Sequence, residues 1–252
     1  MYLRAVHAET SIPTLRQLIR SNPLGVLTTA IPSKRYPLIL SSHIPWILDV
    51  EDESSETELG TLRGHLARAN PQSKTMIDHL ESAAKSNGSF LEEEVLVLFT
   101  TTTNHYITPK FYTETKPATG KVVPTWNYAA AQAYGKARIY FDSKSPDTGA
   151  FLSQQIHDLS QHAEESVMGY DGKEGRPGAW KVADAPEKYI ELLQKAIVGI
   201  EIKLDRLEGK FKMSQESPQG DREGVIKGFE ALGSEIGDKM ADLVEKKSPT
   251  KK

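Results

Sequence analysis

The sequence predicts a mainly β fold with added helices: a mostly antiparallel barrel decorated by helical segments. Three observations carry that reading. Strand-like runs follow one another with helices inserted singly, unlike the regular alternation of a parallel βαβ sheet. The run "IVGIEIKLDRLEGKFKM" (197–213) alternates Val198, Ile200, Ile202 and Leu204 with Gly199, Glu201, Lys203 and Asp205, the period of a strand with one wet face. The run "EEVLVLFT" (93–100) has an unbroken apolar centre, as a strand buried on both faces would.

Residues 12–21 predict a short helix, capped at Thr10 or Ser11, with Leu15, Leu18 and Ile19 on one face. "PLGVLTTA" (23–30) and "PLILSSHIPWIL" (37–48) predict paired strands across a Pro/Ser/Lys loop, and "TLRGHLA" (61–67) a third strand. Asn70-Pro71 is a helix start, because Asn is a favoured N-cap and Pro is tolerated at the first helical position. Met76, Ile77 and Leu80 then place a helix from about Asn70 to Ala84. "NHYITPKFY" (104–112) is expected to pair with 93–100. "GKARIYF" (135–141) sets Ala137, Ile139 and Phe141 against Lys136, Arg138 and Tyr140. A long helix is expected within 145–165 on Phe151, Leu152, Ile156 and Leu159, then a turn-rich loop at 169–178 and a short helix at 185–196. Beyond Pro218, Val225, Ile226, Phe229 and Leu232 mark a helix closed by Gly233, and a last helix runs from about Ser234 to Lys246. The expected organisation is one barrel domain with helical insertions, 1–232, and a C-terminal helix with a basic tail, 233–252.

The 252 residues hold no cysteine, which excludes disulfides, thiolate chemistry and Cys-based zinc sites and fits a reducing compartment. No run approaches the ~18 apolar residues of a membrane span and none at the start resembles a signal peptide. The expectation is an intracellular, cytoplasmic protein with no membrane partner, a nuclear location staying open. The net charge of −3 gives no bulk attraction to nucleic acid, which stays open as a partner only through a local basic patch. "DVEDESSETE" (49–58) carries six acids and no base and reads as a solvated loop; it lacks the ligand spacing and internal Gly of a calcium site.

Two stretches draw attention as sites. In "RGHLARANPQ" (63–72), Arg63, His65 and Arg68 precede a helix start whose free N–H groups suit a phosphate or carboxylate; an ordinary capped helix with solvated arginines is the alternative. In "GKVVPTWNYAAAQAYG" (120–135), Trp126, Asn127 and Tyr128 group two rings with an amide, suited to stacking on a planar ligand or to a core or dimer contact. The motifs of serine hydrolases, phosphate loops, dinucleotide folds and zinc proteases are absent. Any hard chemistry therefore belongs to a cofactor.

Together "GTLRGHLARANPQ", "VLVLFTTTTNHYITPKFY", "GKVVPTWNYAAAQAYG", "KAIVGIEIKLDRLEGKFKMSQ" and "DREGVIKGF" resemble the PaiB-type FMN-binding family, also catalogued as negative transcriptional regulators. The resemblance runs in order from Met1 to about Phe229. It implies a split β-barrel like that of pyridoxamine-phosphate oxidases and flavin reductases, forming homodimers with FMN at the subunit interface. By that likeness the FMN phosphate lies near Arg63, His65, Leu66, Arg68, Asn70 and Gln72. Tyr106 to Tyr112 and Lys121, Thr125, Trp126, Asn127 and Tyr128 would border the isoalloxazine, Trp126 stacking on it and Asn127 bonding its edge. The implied functions are a flavin-dependent oxidoreductase or a flavin-linked regulator acting through DNA or protein. Haem binding or breakdown on the same barrel is the alternative, with His43, His65, His105 or a helical histidine as ligand. The chain departs from the pattern at Thr102-Thr103 (in place of Gly-Pro), at Phe111 and Phe211 (Trp), at Glu216 (Asn), and in the acidic loop, which looks inserted.

Overall fold

Strands in this chain form where apolar residues alternate, and helices seat in the gaps that small residues leave. In the computed structural model, which describes residues 1–82 and 89–249, a short strand β1 (Ala8–Glu9) leads into α1 (Ile12–Ser21). Ser11 caps this helix by accepting from Thr14 N, and Leu15, Leu18 and Ile19 are buried, each contributing roughly 1.5–3 kcal/mol. The helix can lie close because β9 (Ile197–Lys212) offers Gly209 beneath it; a Cβ there would come within 1.9 Å of Leu15.

The predicted hairpin follows as β2 (Leu24–Ala30) and β3 (Ile39–Pro45), paired antiparallel. The chain then bends at Pro45-Trp46 into β4 (Ile47–Asp49), which pairs instead with β5 (Thr61–Ala67). Trp46 is buried at that corner against Gly64, where a Cβ would meet Ile44 and Trp46 at 2.9 Å. The remaining strands are β6 (Phe90–Thr100), β7 (His105–Ile107) and β8 (Thr125–Tyr140), and the main path is β3-β2-β6-β8-β9-β5-β4. Its two ends are successive strands of one bent segment, so the sheet curls back on itself without a closed ladder: a split barrel. Inside lie Leu27, Val97, Phe99, Ala129, Ala131, Ala133, Ile139, Ile200 and Ile202, the alanines of β8 leaving room for the larger side chains opposite.

Helices decorate the outside. Pro71–Ser82 forms α2, begun as expected at Asn70, while Ala84 falls outside the described residues. Thr115–Thr119 is the short α3, Pro146–His162 α4, which widens into a π turn over Ala163–Val167, and Glu187–Lys195 α5. Gln219–Glu230 (α6) and Glu235–Lys247 (α7) pack as a pair, and Val225, Phe229, Met240 and Val244 join the barrel core. No helix of the described residues is long and apolar enough to cross a membrane.

Four findings change or add to these expectations. Residues 105–107 pair with Thr125–Asn127 of β8 and not with β6, because β8 begins directly after Pro124, ten residues ahead of the alternating run that revealed it. Only one face of β6 is fully buried; Leu96 and Leu98 on the other are half-covered. The long strand β9 has a register shift opposite Tyr134 and Gly135, which bends the sheet where Asp205 goes unpaired. The acidic loop is organised around a buried cation: Arg16 donates to the carbonyls of Glu53, Ser55 and Glu58, and Arg20 pairs with Glu53.

Candidate functional site

The β5 set lies where β5 hands over to α2. Because side chains alternate, Leu66 points into the core while Arg63 and His65 face outward. Arg63 is fully engaged: it pairs with Asp49 and, at 2.8 Å, with Asp158 of α4, and it bonds the amide of the buried Gln155. These contacts hold α4 over the outer face of β5 and β9, where Phe151 stacks on Tyr140 at 3.9 Å above Gly199. His65 lies across from Gly199, and burial alone pushes its pKa down. Arg68 donates to the carbonyls of Phe141 (2.5 Å) and Lys195 (3.2 Å). Asn70 caps α2, its Oδ1 accepting from Gln72 N at 2.8 Å, and donates to Ser42 Oγ. The buried amide of Gln72 donates to Leu27 O, Thr29 Oγ1 and Leu40 O, tying α2 to β2 and β3.

The aromatic set gathers at the other end of β8. Trp126 is 49% exposed, with its Nε1 donating to Asn104 Oδ1 and its ring edge-on to Tyr106 at 6.2 Å. Tyr106 is exposed as well, so the two rings form an aromatic pair open to solvent, and Val123 is exposed on the loop three residues before Trp126. Pro124 starts this arrangement by ending the loop just before Thr125, whose hydroxyl accepts from Lys212 Nζ at 2.6 Å. Asn127 points inward: it is buried and exchanges hydrogen bonds with Ser214, a residue held at φ 63°. Tyr128 faces outward beside Lys210, and Lys121 stands on the exposed loop before the strand.

Charged groups crowd this second end. Burial lowers the Lys212 pKa, Glu216 opposes that shift, and the nearby charges of Lys210 and Arg4 add to it. Burial pushes the Glu216 carboxyl up, but the 2.9 Å hydrogen bond from the buried His7 and the charges of His7 and Lys212 outweigh it and hold the pKa below the usual range. The Tyr112 phenol is raised by burial, then by Glu216, Asp221 and Tyr106. His7, Glu216, Lys210 and Lys212 were not among the residues the sequence nominated. The signal for the lysines was present in "GKFKM", two cations two apart on one strand face; His7 and Glu216, 209 residues apart, gave none.

The two sets do not meet in one chain. His65 is in register with Gly199 and Tyr128 with Lys212, so twelve residues of β9 lie between them, a path along the strand of roughly 40 Å. Of the candidate histidines, His43 faces outward on β3 and His105 packs edge-on against Phe229 at 5.4 Å.

The chain is 58% identical over 259 residues to an uncharacterized protein of Aspergillus fumigatus, covering 100% of this chain and 99% of that one. It is 24% identical over 247 residues, 98% of each chain, to the Bacillus subtilis protease synthase and sporulation protein PAI 2. Among solved structures, the flavocytochrome Anf3 of Azotobacter vinelandii aligns with a TM-score of 0.46 at 10% identity, over 84% of this chain and 72% of the other. A likeness that distant does not reach the chemistry of a site. Residues 1–206 match the model of the "Putative FMN-binding domain" family, and the chain belongs to that family.

Proposed function

We propose that this protein binds FMN, with the isoalloxazine lying against the exposed Tyr106–Trp126 pair, and that it works as a homodimer. Family membership supports the cofactor class, and the exposed indole beside an exposed phenol is the single observation that carries the placement. Large rings left at the surface with a polar handle already bonded are suited to stacking on a planar ligand. Trp126 is such a ring, because Asn104 fixes its indole N–H and so fixes the orientation of its face. FMN, when bound, supplies a ring system that exchanges electrons and hydride. The protein residues orient that ring and shield one side of it from water.

The spacing supports the dimer. A path of roughly 40 Å between His65 and Tyr128 is far longer than one FMN. If His65 or Arg68 touches the same flavin as Trp126, it does so from a second copy of the chain. The outward, half-covered residues Val26, Leu96 and Leu98 of β2 and β6 offer area for such a contact.

The test is a titration of FMN followed by flavin fluorescence. The wild type is expected to quench it, and Trp126→Ala to weaken binding about tenfold, the 1–1.5 kcal/mol of a stacked ring pair. An unchanged Kd in a folded Trp126→Ala protein would place the ring elsewhere.

A further inference from the structure

Lys210 and Lys212 stand two residues apart on β9 and project from the same outer face. Lys210 is only 9% exposed, yet its ammonium makes one long hydrogen bond, 3.4 Å to the carbonyl of Tyr2, and faces the Tyr128 ring at 5.5 Å. Lys212 donates to Thr125 Oγ1 and to the Trp126 carbonyl, which leaves one of its three N–H groups unassigned. Arg4 comes near enough that its charge, like that of Lys210, disfavours the charged form of Lys212. Among the described residues none of these three cations forms an ion pair. The carboxylates nearby are already taken: Glu208 is held by Arg206 and the Met1 amino group, and Glu216 by His7.

A buried ammonium with no carboxylate partner is costly, and an arriving anion with several acceptor oxygens offsets that cost. We propose that Lys210 and Lys212 form a cradle for the phosphate dianion of a phosphomonoester. Two ammonium groups on one strand face offer several N–H donors to the phosphate oxygens. The cradle adjoins the aromatic pair through Thr125 and Trp126, so the phosphate can be that of FMN itself, an arm that rests on the proposed flavin site. It can equally be carried by a separate phosphorylated ligand. Either way Arg63, whose donors go to Asp49, Asp158 and Gln155, is relieved of that task, whereas Arg68 gives two of its five donors to carbonyls and serves as the control.

The full chain and its Lys210→Met, Lys210→Arg, Lys212→Met and Arg68→Ala variants would be titrated with FMN, with riboflavin and with inorganic phosphate, reading Kd and Tm. Phosphate is expected to raise the wild-type Tm. Lys210→Met should lose that rise without a lower ligand-free Tm, since an uncompensated charge is gone, and Lys210→Arg should keep it. If FMN binds about tenfold more tightly than riboflavin and Lys210→Met erases the difference, the phosphate is the flavin's own. If the phosphate response depends on Lys210 while the FMN preference does not, or no flavin binds at all, the cradle stands and its ligand is a separate phosphomonoester. The proposal is overturned if phosphate and FMN act alike on wild type and Lys210→Met, or if only Arg68→Ala loses the response. Should Lys210→Met fail to fold, Lys212→Met gives the same decision.

Discussion

Gln72 stands in a motif that reads as a ligand shell, and the fold spends it on itself. Its buried amide satisfies the carbonyls of Leu27 and Leu40 and the Thr29 hydroxyl. Gln72→Leu would remove three hydrogen bonds that tie α2 to β2 and β3 and is expected to cost about 1–3 kcal/mol in urea unfolding, leaving FMN affinity of the folded protein unchanged. His65 makes a second prediction. Burial pushes its pKa below the ordinary 6.5, so the unfolded chain takes up this proton more readily than the folded one. Its contribution is therefore complete above about pH 6.5 and is lost as pH falls from there toward the folded value. The depressed carboxyls Asp158, Asp221 and Glu216 act lower, where pH drops below 3.8 to 4.5. The urea midpoint of the wild type should decline between about pH 7 and pH 5, and His65→Gln should flatten that decline. An identical slope in the variant would assign it to other groups.

At the scale of elements, two arginines do structural work that charge alone did not reveal. Arg16 gathers three carbonyls of the acidic loop, so Arg16→Met should make residues 51–58 far more open to limited proteolysis while the barrel stays folded. Arg63 clamps α4 through Asp158 and Gln155, and Arg63→Met should raise hydrogen exchange across Pro146–His162 selectively. Most elements were legible in the sequence because their patterns are local: the Ser11 and Asn70 caps, the alternation of β9, the apolar stripe of α6. The first half of β8 was not. Its inward residues from Ala129 to Ala133 are alanines interrupted by Ala130 on the outer face, so no hydrophobic period marks it. The partner of β7 was misread for the same reason, since the strand it pairs with was unseen.

For the molecule as a whole, family and barrel were legible because several motifs recur in order along the chain. The site was only partly so, because ligand residues are judged by what they have left to offer after folding. Asn127 and Gln72 have their amide donors spent within the fold, whereas Lys210, never singled out, keeps a charge the fold does not answer. Light scattering should give the mass of a dimer of the 27.9 kDa chain, and a monomer that still binds FMN would confine the site to the Trp126 end. The central claim is flavin binding, and the visible absorption spectrum after adding FMN and desalting tests it most directly. A flavin band that stays with the protein and shifts on binding is the predicted result. A colourless protein, folded and dimeric yet unable to hold FMN, would contradict the account.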